Sequence, residues 1–494
     1  MNLDSPSLST PKLFPKWILR FAVLSLLCLS FLNALYCLVS YEFGWGPKTY
    51  LVGPEDRFAD LIKLSLSFRA TTEGADKLPE FRNWAPIYQR YYEQPDYAGV
   101  AGLNTGKLTH FHHPPLSTLL FLLCGLFILK TGQPALALFL FFGVYLLEVC
   151  AIVWIGIPRA IRSREITLAI FFFCLISYPA LLTFSRANYV NAGLTTLPVV
   201  LFLVATFTSA KPSLLSLFAL ALAVNIHPNA ILLLLALPIA FGVRAAIKPI
   251  LQFGGIAAAI CAPSYLAAHY LYPAYTIATF RQGLSAYAKI YIDGGAGVRS
   301  GSSLFGLVFG LHHALARYHV VSRYTSSSTD LRVFYVLAML VVALSGAAYL
   351  IALRQARHLQ LQPQRGGRSV SASTPESAAD FEPRNGPSLV APFLLVSSYT
   401  LLSPVFADYH LLVFLAPLLL ACIAAPGQSG RRLQLTSLIA FASVFMLSPK
   451  NYGYIQLALN PLILCGVTLW LSFALIAESR RKVSRSAALI AADG

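Results

Sequence analysis

The sequence predicts an all-α integral membrane protein: a polytopic bundle of about twelve transmembrane helices, judged by helix-length apolar runs. Three observations predict it. Of 494 residues, 57% are hydrophobic and 12% are charged, whereas soluble chains are about 45–50% apolar and about 25% charged. The apolar residues gather into runs long enough to cross a hydrocarbon core. The basic residues gather between alternate runs, as orientation signals do. Such a chain has too little charge for a water-facing surface. That excludes a soluble enzyme, a disordered protein and a nucleic-acid-binding module. The whole chain, 1–494, reads as a single membrane domain.

The first run, Trp17 to Tyr41, follows Lys12 and Lys16. It is too long for a signal-peptide core and reads as an uncleaved helix with a cytoplasmic N-terminus. A first outer loop follows, 42–115. It holds nine of the chain's 20 acidic residues. Within it, GPEDRFADLIKLSLSF sets acids beside an apolar stripe of Phe58, Leu61, Leu64 and Phe68, the pattern of an amphipathic helix lying at the membrane interface. Such a helix holds Asp60 at headgroup depth, where a base acting on a lipid-linked substrate is needed. The loop closes on Thr109-His-Phe-His112-His113-Pro114-Pro115-Leu116. Its histidines lack the i, i+4 spacing of a helical metal pair, and the two prolines force the chain out of helix. A packed or substrate-facing corner is the reading, with His112 and His113 as candidate substrate contacts and no metal.

Two short runs, 116–129 and 303–316, are in the length class of re-entrant or interfacial segments. Longer ones fall near 133–157, 165–185, 193–210, 212–227, 229–247, 249–272, 331–353, 389–404, 410–425, 433–448 and 455–477. If 116–129 only dips into the bilayer, every later basic cluster faces the cytoplasm: Arg159–Arg164, Lys211, Arg244/Lys248, 354–388, Arg431/Arg432 and Arg480–Arg485. Cytoplasmic segments then hold 20 of the 37 Lys and Arg but 7 of the 20 acids. The net charge of +17 is mostly topology, with both termini cytoplasmic, and adds an attraction to anionic membrane lipid. The polar, Ser-, Pro- and Gln-rich stretch 356–388 reads as a flexible cytoplasmic linker. All eight cysteines lie in apolar runs without a CxxC pair, which gives neither a disulfide framework nor a thiolate site. Glu148, a lone acid inside a run, reads as a neutral, hydrogen-bonded structural residue.

Polar residues recur where the outer ends of the runs fall. They are Arg186, Asn188 and Asn191; Asn225, His227 and Asn229; Asp408, Tyr409 and His410; and Lys450 with Asn451. Polar groups are costly there. Any one can cap a helix, but four clusters on one face predict a shared cavity. Arg186, His410 and Lys450 offer positive charge and N–H donors to a phosphate.

In this order the residues resemble the membrane-embedded glycosyltransferases of the GT-C fold, most closely family 87, which includes polyprenyl-phosphate-mannose-dependent α-mannosyltransferases. Asp60-Leu61-Ile-Lys-Leu64 is similar to the family's aspartate stretch after the first helix, with Leu where Tyr is common. Pro114-Pro115-Leu116 is similar to its Pro-Pro-Leu corner. Arg186-Ala-Asn188-Tyr-Val-Asn191, Gly301-Ser302-Ser303-Leu304-Phe-Gly306 and Ser403-Pro404 through His410 resemble later motifs. In the last, Tyr409 replaces a histidine and Phe406-Ala407 replaces Ser-Trp.

The resemblance implies a bacterial inner-membrane hexosyltransferase. It would move a sugar, mannose being the family's best-known case, from a polyprenyl-phosphate donor to a lipid- or glycan-type acceptor at the outer face. The donor's phosphate leaves without a general acid, since its second pKa is about 6. What remains is a base for the acceptor hydroxyl and positive charge for the phosphate. Asp60 is the expected base in an inverting displacement. His410, Arg186 and Lys450 are the expected phosphate contacts. His112, His113, Asn188, Asn191, His227, Asp408 and Tyr409 are the expected substrate contacts. No DxD is present, so neither metal nor cofactor is expected. The rival readings are a multi-pass lipid or solute transporter, which predicts mid-membrane ionisable residues and pseudo-symmetric halves, and a non-catalytic envelope-polysaccharide assembly protein.

Overall fold

Proline and glycine set the helix boundaries in this chain more often than charge does. The structure, a computed structural model, describes residues 60–61, 65, 113–157, 164–209, 211–288, 292, 303–318, 327–365, 387–404, 408–423 and 454–493. The predicted runs 17–41 and 433–448, and most of the first outer loop, lie outside the described residues. Among the described residues there is no strand.

Helix α1 (Pro115–Thr131) starts on a proline at its first position, where the missing N–H costs nothing. It ends at Gly132, whose φ of 64° lets its N–H reach back to the Ile128 carbonyl at 2.8 Å. Its 17 residues reach about 26 Å, short of a hydrocarbon core of about 30 Å. Helix α2 (Pro134–Ala151) continues through a π turn, Ile152–Gly156, into 23 residues of mean hydropathy 2.5. The run 165–185, expected as one span, is two helices, α3 (Arg164–Ile176) and α4 (Tyr178–Arg186). Ser177 is extended (φ −65°, ψ 155°), and Pro179 opens the second helix.

Helix α5 (Leu194–Thr208) follows a π turn, Tyr189–Gly193. The 20-residue apolar unit they form is 83% buried. Helix α6 (Leu214–Ile226) leads through His227 into a 3₁₀ segment, Pro228–Leu235, and α7 (Ala236–Phe241). The expected boundary near 248 falls instead at Gly242, whose φ of 86° suits glycine alone. Helix α8 (Val243–Leu271) therefore takes in Arg244, Lys248 and Pro249. After it come α9 (Ile277–Ala288), α10 (Leu304–Arg317) and α11 (Ser327–Arg365). The last runs past 356, so the helix takes the first part of the expected linker; residues 366–386 lie outside the described residues. Helix α12 (Pro387–Leu402), a 3₁₀ segment Asp408–Phe414, α13 (Leu415–Ile423) and α14 (Tyr454–Asp493) complete the described chain.

By length and composition, five of the described helical units are long and apolar enough to cross a membrane. Several other apolar helices have 10–17 residues. They are short because the chain breaks where its polar residues cluster, at 177, 187–193, 227–235 and 403–414. Those breaks surround the N-terminal end of α5. Gly193 lies flat on Tyr145, and a Cβ there would stand 3.1 Å from the ring. The phenol of Tyr145 in turn donates to the Cys174 carbonyl at 2.7 Å. These contacts tie α2, α3 and the π turn together beneath the site.

Candidate active site

The site is built around Asp60. Its two neighbours in the described chain, Leu61 and Ser65, are fully buried. Leu61 belongs to the predicted apolar stripe. Ser65 does not, yet it packs on α1, where its backbone carbonyl lies directly over Gly125 and any Cβ would overlap it. At Ser65 the chain is thus pressed against a glycine of α1.

The Asp60 carboxylate meets the Arg186 guanidinium in a two-pronged pair. Arg186 Nε donates to Oδ2 and Nη2 to Oδ1, both at 2.9 Å. The fork geometry of guanidinium suits this pairing and makes it among the strongest polar contacts available. The side chains are 14% and 21% exposed, so the pair is screened from solvent but can be reached. Asn188 Nδ2 adds a third donor, to Oδ2 at 2.6 Å. Asn188 is itself fixed, because its Oδ1 accepts the Asn191 backbone N–H at 3.2 Å. That second bond determines which end of the amide faces Asp60.

Local backbone chemistry aims both partners at one carboxylate. Helix α4 ends with Ala187 in the left-handed region, φ 51°. Ala187 N–H reaches Phe184 O at 3.1 Å, and Asn188 N–H reaches Thr183 O at 2.9 Å, the paired closure of a Schellman turn. Non-glycine residues seldom adopt this conformation. Asn188 then receives the N–H groups of Ala192 at 2.9 Å and Gly193 at 3.3 Å on its carbonyl, which forms the π turn. π turns are frequent at functional sites.

A second cluster adjoins the first turn of α5. His410, 4% exposed, lies in the segment Asp408–Phe414, with Nδ1 3.4 Å from the Thr196 hydroxyl. Its ring meets His227 edge-on, centroids 4.8 Å apart. His227 Nδ1 is buried with no hydrogen-bond partner among the described residues. The adjoining loop is pinned from two sides. Asn229 donates to the Ser403 hydroxyl at 3.3 Å, and the Ser303 hydroxyl to the Pro404 carbonyl at 2.9 Å. Residues 227–229, 303, 403–404 and 410, far apart in sequence, therefore meet.

The candidates from sequence divide clearly. Asp60, Arg186, Asn188 and Asn191 form one centre. His227 and His410 form the second. His113 is buried at the mouth of α1, and its carbonyl accepts from Thr118 at 3.0 Å and Tyr275 at 2.8 Å. His112 and Lys450 lie outside the described residues. Asp408 and Tyr409 are described in backbone only. Arg186, expected at a phosphate, is the counter-ion of Asp60. Asn225 donates to the Ala257 carbonyl at 3.1 Å and joins α6 to α8. Glu148, expected to be hydrogen-bonded, has Oε2 buried without a partner among the described residues. Thr196 and Tyr275 were missed. Thr196 carried a signal, a threonine pair inside an apolar run; Tyr275 carried none.

A carboxylate has about four lone-pair sites. Arg186 and Asn188 place two donors on Oδ2 and one on Oδ1. Among the described residues no donor occupies the second site on Oδ1, which is enough to receive one hydroxyl proton. Among the described residues, no group of three or more His, Cys, Asp or Glu is placed to hold a metal ion. Comparison of the chain with protein-family models, with curated proteins and with solved structures finds no match.

Proposed function

We propose that this protein is a membrane glycosyltransferase of GT-C type, moving a sugar from a polyprenyl-phosphate donor to a lipid- or glycan-type acceptor. The observation that carries this reading is the oriented, solvent-screened carboxylate of Asp60 with one oxygen site left over. Arg186 holds the carboxylate in a two-pronged pair, and Asn188 fixes its plane. The acceptor hydroxyl binds at the remaining Oδ1 site and gives up its proton as its oxygen attacks the anomeric carbon. The sugar–phosphate bond breaks on the opposite face, and the phosphate leaves with the bonding pair. The anomeric centre inverts. In this reading Arg186 positions the base, and the donor phosphate is met by His410 and Lys450. The sequence order of motifs supports the same reading through its resemblance to family 87.

Purified full-length protein, incubated with radiolabelled polyprenyl-phosphate mannose and a membrane lipid extract, tests it. Product is expected from the wild type. Asp60→Asn, which keeps the size of the side chain and removes the base, is expected to lower turnover by at least about 100-fold while leaving expression unchanged. Near-normal turnover in that variant sinks the assignment. One observation favours a second reading. A two-pronged ion pair between segments 126 residues apart is also what a transporter uses as a latch. A latch predicts that Asp60→Asn together with Arg186→Leu restores function, whereas a base predicts that it does not.

A further inference from the structure

Among the described residues, Ala187 is the only one other than glycine with a positive φ. A side chain in that region is strained, and the strain persists only where the surroundings impose it. Here they are supplied by α2. Phe142 and Tyr145 stand three residues apart on it, so their rings share one face. Phe184, two residues before Arg186, meets both rings edge-on, with centroids 5.5 Å from Phe142 and 5.4 Å from Tyr145. Tyr189, directly after Asn188, also meets both, at 6.3 Å in each case. Phe184 and Tyr189 are 6.2 Å from one another. Edge-on and tilted rings at these separations attract. Tyr145 cannot drift, because it is 1% exposed, its phenol is bound to the Cys174 carbonyl and Gly193 lies on its ring.

The same two rings therefore grip both flanks of Arg186–Ala187–Asn188, the segment that carries every donor to the Asp60 carboxylate. Between the gripped residues Phe184 and Tyr189 the chain is too short to relax Ala187 without parting the rings. We propose that Phe142 and Tyr145 are positioning residues for the base: they clamp this turn, hold Ala187 left-handed and so keep Arg186 and Asn188 aimed at Asp60. The clamp stands on geometry alone, while its effect on turnover rests on the reading of Asp60 as a base.

Amide hydrogen exchange of the full chain in detergent, read over residues 183–193, tests the clamp without reference to any reaction. The mannose-transfer assay tests what the clamp serves. Tyr145→Leu and Phe142→Leu are each expected to speed exchange of the turn at least about tenfold. Each is expected to lower turnover about 10- to 100-fold, with the Kd for donor nearly unchanged. Phe142 is only half-buried, so its variant spares the core. Ala187→Gly adopts the left-handed turn without strain and refills no cavity. Added to either variant, it is expected to recover most of the lost protection and turnover, which a general loss of packing does not allow. Unaltered exchange in both single variants overturns the proposal. So does faster exchange beside wild-type turnover, and so does a failure of Ala187→Gly to recover either quantity. A wild type that makes no product counts against the transferase reading alone, and exchange then still decides whether the clamp exists.

Discussion

Helices α5 and α8 are both apolar, yet they face different surroundings. The unit containing α5 has mean hydropathy 1.9 and is 83% buried; α8 has mean hydropathy 1.6 and is 17% buried. Leu197, Leu203 and Phe202 on α5 have no exposure, whereas Leu251 on α8 is 71% exposed. Hydropathy alone does not distinguish them. What distinguishes them is the site: the polar turns that hold Asn188 and Asn191 run directly into α5, and neighbouring segments converge on its start. The helix nearest the Asp60 cluster is enclosed by protein. The more distant helix offers its leucines to the surrounding medium, which for a chain of this composition is lipid.

Substitutions can break or sharpen this contrast. The largest effect is expected from Arg186→Leu. It leaves the Asp60 carboxylate screened and unpaired, with a cost of about 3 kcal/mol and loss of transfer activity. Thermal melting and the mannose-transfer assay measure the two parts separately. Leu203→Ala on α5 opens a cavity in a packed interior and is expected to cost about 2–5 kcal/mol, read as a lowered melting midpoint. Leu251→Arg on α8 is expected to cost about 2.5–3.5 kcal/mol of membrane insertion, measured by glycosylation mapping of the helix. An arginine tolerated there at no cost removes the lipid-facing assignment. Leu251→Ala is expected to change stability by less than about 1 kcal/mol. If it equals the Leu203 effect, the contrast between the helices is gone.

Gly125→Val is a finer probe, directed at the base. A side chain at Gly125 displaces the Ser65 carbonyl and, with it, the segment carrying Asp60. Turnover is expected to fall about 100-fold for a displacement of about 1 Å, with donor binding nearly unchanged. An unaltered turnover number measured beside an unaltered Kd for donor counts against this positioning role.

Much of the helical layout was legible because apolar runs leave a one-dimensional signal. Asp60 stood out for a different reason: acids are scarce in this chain and half-collected in one loop. Its partner was not legible. Arg186 is separated from it by 126 residues, and no local periodicity connects them. Arg186 therefore read as a phosphate contact. Ser65 over Gly125 was hidden for the same reason. The breaks at Ser177 and Gly242 were signalled by Pro179 and by the glycine itself. Hydropathy read over a whole span averaged those signals away. Asn188 was recognised as polar and costly, but its aim depends on the left-handed turn at Ala187, a conformation that alanine rarely advertises.

The separation between Asp60 and its partner also imposes an order on biogenesis. At about 5–20 residues per second, the ribosome needs roughly 6–25 s to reach Arg186 after Asp60 has been made. Through that interval the aspartate lacks Arg186. His410 arrives later still, when most of the helices are already synthesised. The site is therefore a late product of translation, completed from its acidic side to its imidazole side. An arrested or truncated nascent chain would hold Asp60 without the residues that orient it.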